Sequence, residues 1–202
     1  MAENRLHRRS IRLPDFDYTQ AGAYYITVCT YNRGCIFGEI LRGEMFLNDM
    51  GRIVVDEWEQ TMNKRANVEL DEFIMMPNHL HGIVIITQPF QQRDDIGVGI
   101  RRGVLQYAPT TPKYAPNPPN KLQSPSQTIG AIVRGFKSAT TKRINELRQS
   151  PRQPVWQRNY YEHVVRNEAD LDRIRTYILN NPANWKEDSE RDFGAVKQGV
   201  FG

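Results

Sequence analysis

Cysteine is scarce: Cys29 and Cys35 are the two in 202 residues. Two thiols cannot build the disulfide framework of a small secreted module, so a reduced, cytoplasmic chain is expected. Long hydrophobic runs are also missing. No apolar stretch approaches the ~20 residues that cross a bilayer, so no membrane partner is expected. The opening MAENRLHRRSIRLP has no apolar segment of the kind a secretory signal needs. Several catalytic signatures are absent as well. Without GxxxxGKS or GxxxxGKT there is no P-loop to cradle a nucleotide, and without HExxH there is no zinc-protease helix. Without GxSxG there is no nucleophile elbow, and without Cys-x-x-Cys the zinc-deaminase pattern fails. The length suits a single domain over residues 1–202, long enough to bury a core.

Charge is present but segregated. Residues 15–87 hold five basic and eleven acidic side chains, whereas residues 127–167 hold eight basic and two acidic ones. A basic N-terminal arm, residues 1–14, carries Arg5, Arg8, Arg9 and Arg12 against Glu3. Clustered positive charge on an otherwise acidic chain points to a polyanion, whose phosphates would supply much of the affinity. A solubilising face is the other reading of the same charges.

Along the chain, GAYYITVCT (22–30) alternates as a strand, with Tyr25, Thr27 and Cys29 on one side and Tyr24, Ile26, Val28 and Thr30 on the other. Residues 33–48 hold two short apolar runs around Arg42-Gly43-Glu44 and read as a hairpin. Ile53, Val54, Trp58 and Met62 recur at helical spacing over 51–64. Strands follow at 68–76 and 79–87, separated by Pro77-Asn78. Residues 88–126 are rich in proline, glycine and polar side chains and read as a flexible insertion. A long helix capped by Ser126 or Thr128 runs to about residue 148. A strand over 155–165 and a helix over 168–180, stopped by Pro182, complete the order. The pattern predicts an α+β fold, a ferredoxin-like or RRM-like antiparallel sheet packed with helices.

Two of the four histidines form His79-Leu80-His81 at the start of a predicted strand. Alternation puts both imidazoles on one face and Leu80 on the other. Such a pair can chelate one divalent cation, or can simply be polar residues on a half-exposed strand. Glu162, His163, Asn181 and nearby acids are candidates for a third ligand. Tyr177 and Asn181 lie one turn apart on the last helix and share a face. A phenol of pKa near 10 is a poor nucleophile without help, and a nearby cation would supply it. By spacing alone Tyr177, beside the Leu171, Ile174 and Ile178 stripe, also fits a packed core position. Tyr160 and Tyr161 are rival nucleophiles, or residues that pack or stack on a base. They alternate on a strand, so only one can face the cation. Glu162 and His163 likewise face opposite sides.

MPNHLHG followed by VWQRNYYEHVVRNEADLDRIRTYILNNPANW resembles the REP-associated tyrosine transposases, members of the wider single-tyrosine HUH transposases. RRSIRLPDFDYTQAGAYYITVCTYNR and GEMFLNDMGRIVVDEW resemble the same family, so the likeness covers nearly all the chain outside 88–126 and the last dozen residues. The resemblance implies an HUH endonuclease architecture, with the histidine pair on a central strand and the nucleophile on a C-terminal helix. It implies His79, His81 and Asn181 as ligands of Mg²⁺ or Mn²⁺ and Tyr177 as the catalytic residue. Asn181 stands where many insertion-sequence relatives have a longer glutamine. The implied activity is cleavage and rejoining of single-stranded DNA at hairpin-forming repeats, through a 5′-phosphotyrosine.

Under that reading Arg5, Arg8, Arg9, Arg12, Arg134, Lys137, Lys142 and Arg143 would contact DNA phosphates. Glu162 and His163 would be supporting residues around the ligands. The protein would be bacterial and cytoplasmic, nucleoid-associated when bound to hairpin DNA. A homodimer that swaps its tyrosine helix and a self-sufficient monomer both remain open. Two other functions compete: an RRM-like nucleic-acid-binding module without catalysis, and a metal-dependent hydrolase using water.

Overall fold

The structure is a computed structural model that describes residues 20–87 and 128–188. Arg5, Arg8, Arg9 and Arg12 of the basic arm, and the expected insertion over 88–126, lie outside the described residues.

Strand β1 spans Gly22–Cys29, and a hairpin of β2 (Gly38–Leu41) and β3 (Glu44–Leu47) follows it. The hairpin turns through Arg42 (φ 55°) and Gly43 (φ 83°). Two successive positive φ values match the right-handed twist of the flanking strands. Helix α1 spans Asp49–Asn63, two residues earlier than periodicity suggests. The reason is its cap: the Asn48 side chain accepts from the Gly51 amide at 3.0 Å. Strands β4 (Val68–Met76) and β5 (His79–Ile86) form the second hairpin. Helix α2 spans Ile129–Leu147 and is capped by Thr128, whose hydroxyl accepts from the Ala131 amide at 3.1 Å. Strand β6 (Tyr161–Val164) and helix α3 (Glu168–Asn180) follow.

The four long-range strands pair in the order β4-β5-β1-β6, antiparallel throughout. With the small β2–β3 hairpin set aside, this is the ferredoxin-like order, an α+β sandwich as expected. Its two faces bury different residues. Tyr24, Ile26, Val28, Leu80 and Val84 join Val54 and Trp58 of α1 and Ile132, Phe136 and Ile144 of α2 in the larger core. Tyr25, Ile83 and Ile85 pack against Leu171, Ile174 and Ile178 of α3 on the other face. The alternation predicted for β1 therefore holds, and Leu80 enters the core on the side away from the histidines.

Two details differ from the sequence expectation or explain it. β6 is shorter than the predicted 155–165. Only Thr30–Trp156 bridges to the sheet ahead of it. The Lys137 ammonium donates to the carbonyls of Gln157 at 3.0 Å and Asn159 at 2.9 Å, so those acceptors serve a lysine rather than a strand ladder. Gly82, which closes the HLHG motif, meets Trp58: a Cβ there would lie 2.5 Å from the indole ring. Glycine at this position lets α1 approach the strand that carries the histidines.

Candidate functional site

The register of β5 against β1 sets the site. Cys29 pairs with His79 and Thr27 with His81, so both imidazoles stand on the α3 face of a central strand. Their ring centroids are 4.4 Å apart. His79 is 0 % and His81 1 % exposed. Burial holds the His79 imidazole well below its usual pKa, reinforced by His81 and Arg33, and burial pushes His81 down to about 3. Both rings are therefore neutral at physiological pH.

Hydrogen bonds fix which nitrogen of His79 faces the site. Its Nδ1 lies 2.7 Å from Asn78 Oδ1. The Asn78 amide is oriented by its own Nδ2 donating to the Arg33 carbonyl at 3.2 Å. An amide oxygen only accepts, so Nδ1 must carry the proton and Nε2 the lone pair. That Nε2 is buried and makes no hydrogen bond. It lies 3.4 Å from Asp188 Oδ2. A neutral imidazole lone pair and a carboxylate oxygen facing each other out of water repel unless a cation lies between them. One ligand atom each from His79, His81 and Asp188 falls within 4.8 Å of the others. Imidazole and carboxylate donors suit a divalent ion.

α3 brings the phenol to this cluster. Tyr177 Oη is 3.5 Å from His81 Nε2 in the same chain, and the two rings lie 5.3 Å apart. The helix is tied to β4 by Arg175, which donates to both carboxylate oxygens of Asp71 at 2.8 and 2.6 Å. Asp71 sits where the β4–β5 register shifts between Leu70 and Phe73, and such irregularities re-aim a side chain. Asn181 caps the end of α3; it is buried, and its Oδ1 makes no hydrogen bond.

The remaining expected site residues are placed as follows. Glu162 pairs across from Ile26, on the α1/α2 face, and accepts from the Tyr160 hydroxyl at 2.7 Å. The sheet therefore separates both from the imidazoles. His163 shares the imidazole face but binds Asp170 at the start of α3, at 3.0 Å. Tyr161 is half-exposed on the imidazole face, edge-on to Tyr25 at 6.1 Å. Burial, then the Asp170 charge, pushes its phenol pKa up, which makes it harder to ionise than an ordinary tyrosine.

On α2, Arg143 pairs with Asp56 and Glu57 of α1, and Lys137 holds the 157–159 carbonyls. Arg134 and Lys142 are at the surface. These helix residues belong to the layer opposite α3.

Sequence reasoning missed Asp188 and Trp185 as individuals. The Trp185 ring stands 6.0 Å from His79. Both follow the helix-ending Pro182, where no periodicity places a side chain; the one available signal was that the last segment is rich in acids.

No protein-family model matches the chain. It is 41 % identical over 182 residues to an uncharacterized protein of Haemophilus influenzae, covering 90 % of this chain and 92 % of the relative. Among solved structures, it is similar to a REP-associated tyrosine transposase bound to a REP hairpin, with a TM-score of 0.52. That likeness extends over 84 % of this chain and 72 % of the other at 15 % identity. The two share a fold. No helix among the described residues is long and apolar enough to cross a membrane.

Proposed function

We propose that this chain, which belongs to one family with the Haemophilus influenzae protein, is a metal-assisted endonuclease and strand transferase acting on single-stranded DNA, a transposase in its chemistry. One observation carries the proposal. The Tyr177 hydroxyl stands 3.5 Å from His81 Nε2, beside a buried set of electron-rich atoms from His79, His81 and Asp188. The fold shared with a transposase bound to a REP hairpin supports hairpin-forming DNA as the substrate class.

In this reading His79, His81 and Asp188 hold Mg²⁺ or Mn²⁺, and Asn181 offers a neutral oxygen from the end of α3. When bound, the ion polarises the scissile phosphate and offsets charge in the transition state. Tyr177 Oη attacks phosphorus, the P–O3′ bond breaks, and the phenol's proton ends on the released 3′-oxygen. The product is a 5′-phosphotyrosine, whose bond energy lets a second 3′-hydroxyl reverse the step without ATP. The exposed edge of Tyr161 offers an aromatic surface to an unpaired base. The basic arm and the surface residues Arg134 and Lys142 would neutralise phosphates. Because Tyr177 and His81 meet within one chain, a monomer is sufficient for cleavage. The whole would form one domain with a basic arm and an insertion, working in the cytoplasm at the nucleoid.

The test is a labelled single-stranded hairpin incubated with protein and Mn²⁺ or Mg²⁺. A denaturant-resistant protein–DNA adduct is expected, dependent on the ion, retained in Tyr161→Phe and absent in Tyr177→Phe. Cleavage without an adduct would mark a water-using hydrolase, and binding without cleavage a recognition module.

A further inference from the structure

Two hydroxyls crowd the far side of His81. Tyr25 Oη and Thr27 Oγ1 each lie 2.8 Å from His81 Nδ1, and 3.2 Å from each other. All three groups are buried. The strand register makes this possible: Thr27 is the direct partner of His81, and Tyr25 lies two residues along the same face of β1.

The three short separations admit few proton arrangements. If Nδ1 were the bare nitrogen, its single in-plane lone pair could accept one good hydrogen bond. The other oxygen would then face that nitrogen at contact distance with no proton aimed well between them. If Nδ1 carries the proton, it points between two acceptors, the Thr27 hydroxyl donates to Tyr25 Oη, and the Tyr25 proton turns outward from the three groups. Each close pair then has a proton between it. We infer that Tyr25 and Thr27 are positioning residues that keep the His81 proton on Nδ1 and turn the Nε2 lone pair toward Tyr177 and the cation. Asn78 does the same for His79 through its amide oxygen. The two imidazoles thus present matching nitrogens to one point, each backed by a different kind of acceptor. Metal-ligating histidines are commonly held by such a partner on the second nitrogen, and losing it costs ~10–100-fold in affinity.

This inference rests on the cation-centred reading above, and its test separates the two. In the ¹⁵N-labelled, metal-free full chain, long-range ¹H–¹⁵N spectra locate the ring proton of each histidine. The His81 signals are assigned by their loss in His81→Gln. The Nδ1–H form is expected for His81, and an Nε2–H form would overturn the inference. Mn²⁺ affinity is then measured by calorimetry on the wild type, Tyr25→Phe, Thr27→Val and the double variant. The double variant should bind ~10-fold or more weakly and show a mixed His81 tautomer, with Thr27→Ser restoring both readouts. A folded double variant unchanged in tautomer and affinity would also overturn it. If the double variant does not fold, Tyr25→Phe alone decides, since it keeps the ring. If the wild type binds no Mn²⁺, the cation-centred reading falls, and the ring-proton position still decides the role of the hydroxyl pair.

Discussion

The two faces of one sheet are built to different rules. Toward α1 and α2, buried polar groups are tied to neighbours. The Trp156 indole donates to Thr140 Oγ1 at 2.8 Å, and Glu57 accepts from Lys64 and Arg143. Among the described residues the exception there is the Trp58 indole N–H, buried with no hydrogen bond, an isolated neutral donor. Toward α3, lone pairs are gathered instead. His79 Nε2 makes no hydrogen bond and faces a carboxylate 3.4 Å away. An isolated buried donor is a local cost; converging acceptors are an arrangement that a cation would stabilise. The same eight residues of β5 serve both faces, so the core that holds Leu80 also fixes the spacing of His79 and His81.

Two substitutions break this comparison most severely, each on its own side. Tyr177→Phe removes one oxygen from a half-buried position and should abolish the covalent adduct while leaving the denaturation midpoint nearly unmoved. Trp58→Ala empties the centre of the other face, where the ring also packs on Gly82. Loss of a buried Trp costs about 3–5 kcal/mol, a large part of a typical domain's stability. Urea denaturation should register that loss. Any activity that survives at low temperature should still form the adduct through Tyr177.

Asp188→Asn sharpens the contrast rather than breaking it. The replacement amide can donate to His79 Nε2, giving that nitrogen the partner it lacks. Metal-free stability should therefore hold or rise. Mn²⁺ affinity should fall by at least the 10–100-fold seen when supporting groups around a metal are lost, because a ligand charge disappears. Calorimetric titration and thermal melting on the same samples measure both. A variant destabilised without metal and unchanged in affinity would mean that Asp188 is a structural residue.

How far this difference could be read from the sequence depends on the range of the interactions involved. Alternation along β1 and β5 is local, so the separation of Tyr25, Thr27 and His81 from Ile26 and Leu80 was legible. The cap at Thr128 marks a helix start for the same reason, whereas the Asn48 cap, which starts α1 two residues ahead of its apolar spacing, was missed. The ferredoxin-like order followed from the spacing of elements. Asp188 was not legible, because its place opposite His79 depends on how the chain turns after Pro182. The fate of the cations was hidden too. Lys137 and Arg143 looked like one basic track with Arg134 and Lys142. Their partners, the 157–159 carbonyls and the Asp56–Glu57 pair, lie far along the chain and emerge only from the packing of α2. Glu162 illustrates the converse: parity on β6 correctly separated it from His163, but did not tell which of the two would share the imidazole face.

The smallest expected effect tests whether α3 is held for stability or for aim. Arg175 grips Asp71 in a bidentate pair, and that hydrogen bond holds the Asp71 carboxyl below its usual pKa against the opposing pull of burial. Both partners keep some contact with solvent, so Asp71→Asn should cost about 1 kcal/mol at neutral pH, the range of a partly screened pair. The sign of the pH dependence follows from the depressed value. The contribution is present above the unfolded carboxylate pKa of about 3.9 and is lost as pH falls through the lower folded value. Wild type and Asp71→Asn should therefore differ at pH 7 and converge as the pH falls below the depressed folded value. Tyr177 lies two residues beyond Arg175 on the same helix. A loosened anchor should thus lower the adduct-forming rate by more than the stability change implies, with the excess measured in single-turnover reactions at neutral pH. Equal losses in rate and stability would make the pair a fastening like any other on the surface; a larger loss in rate would show that this ion pair aims the phenol.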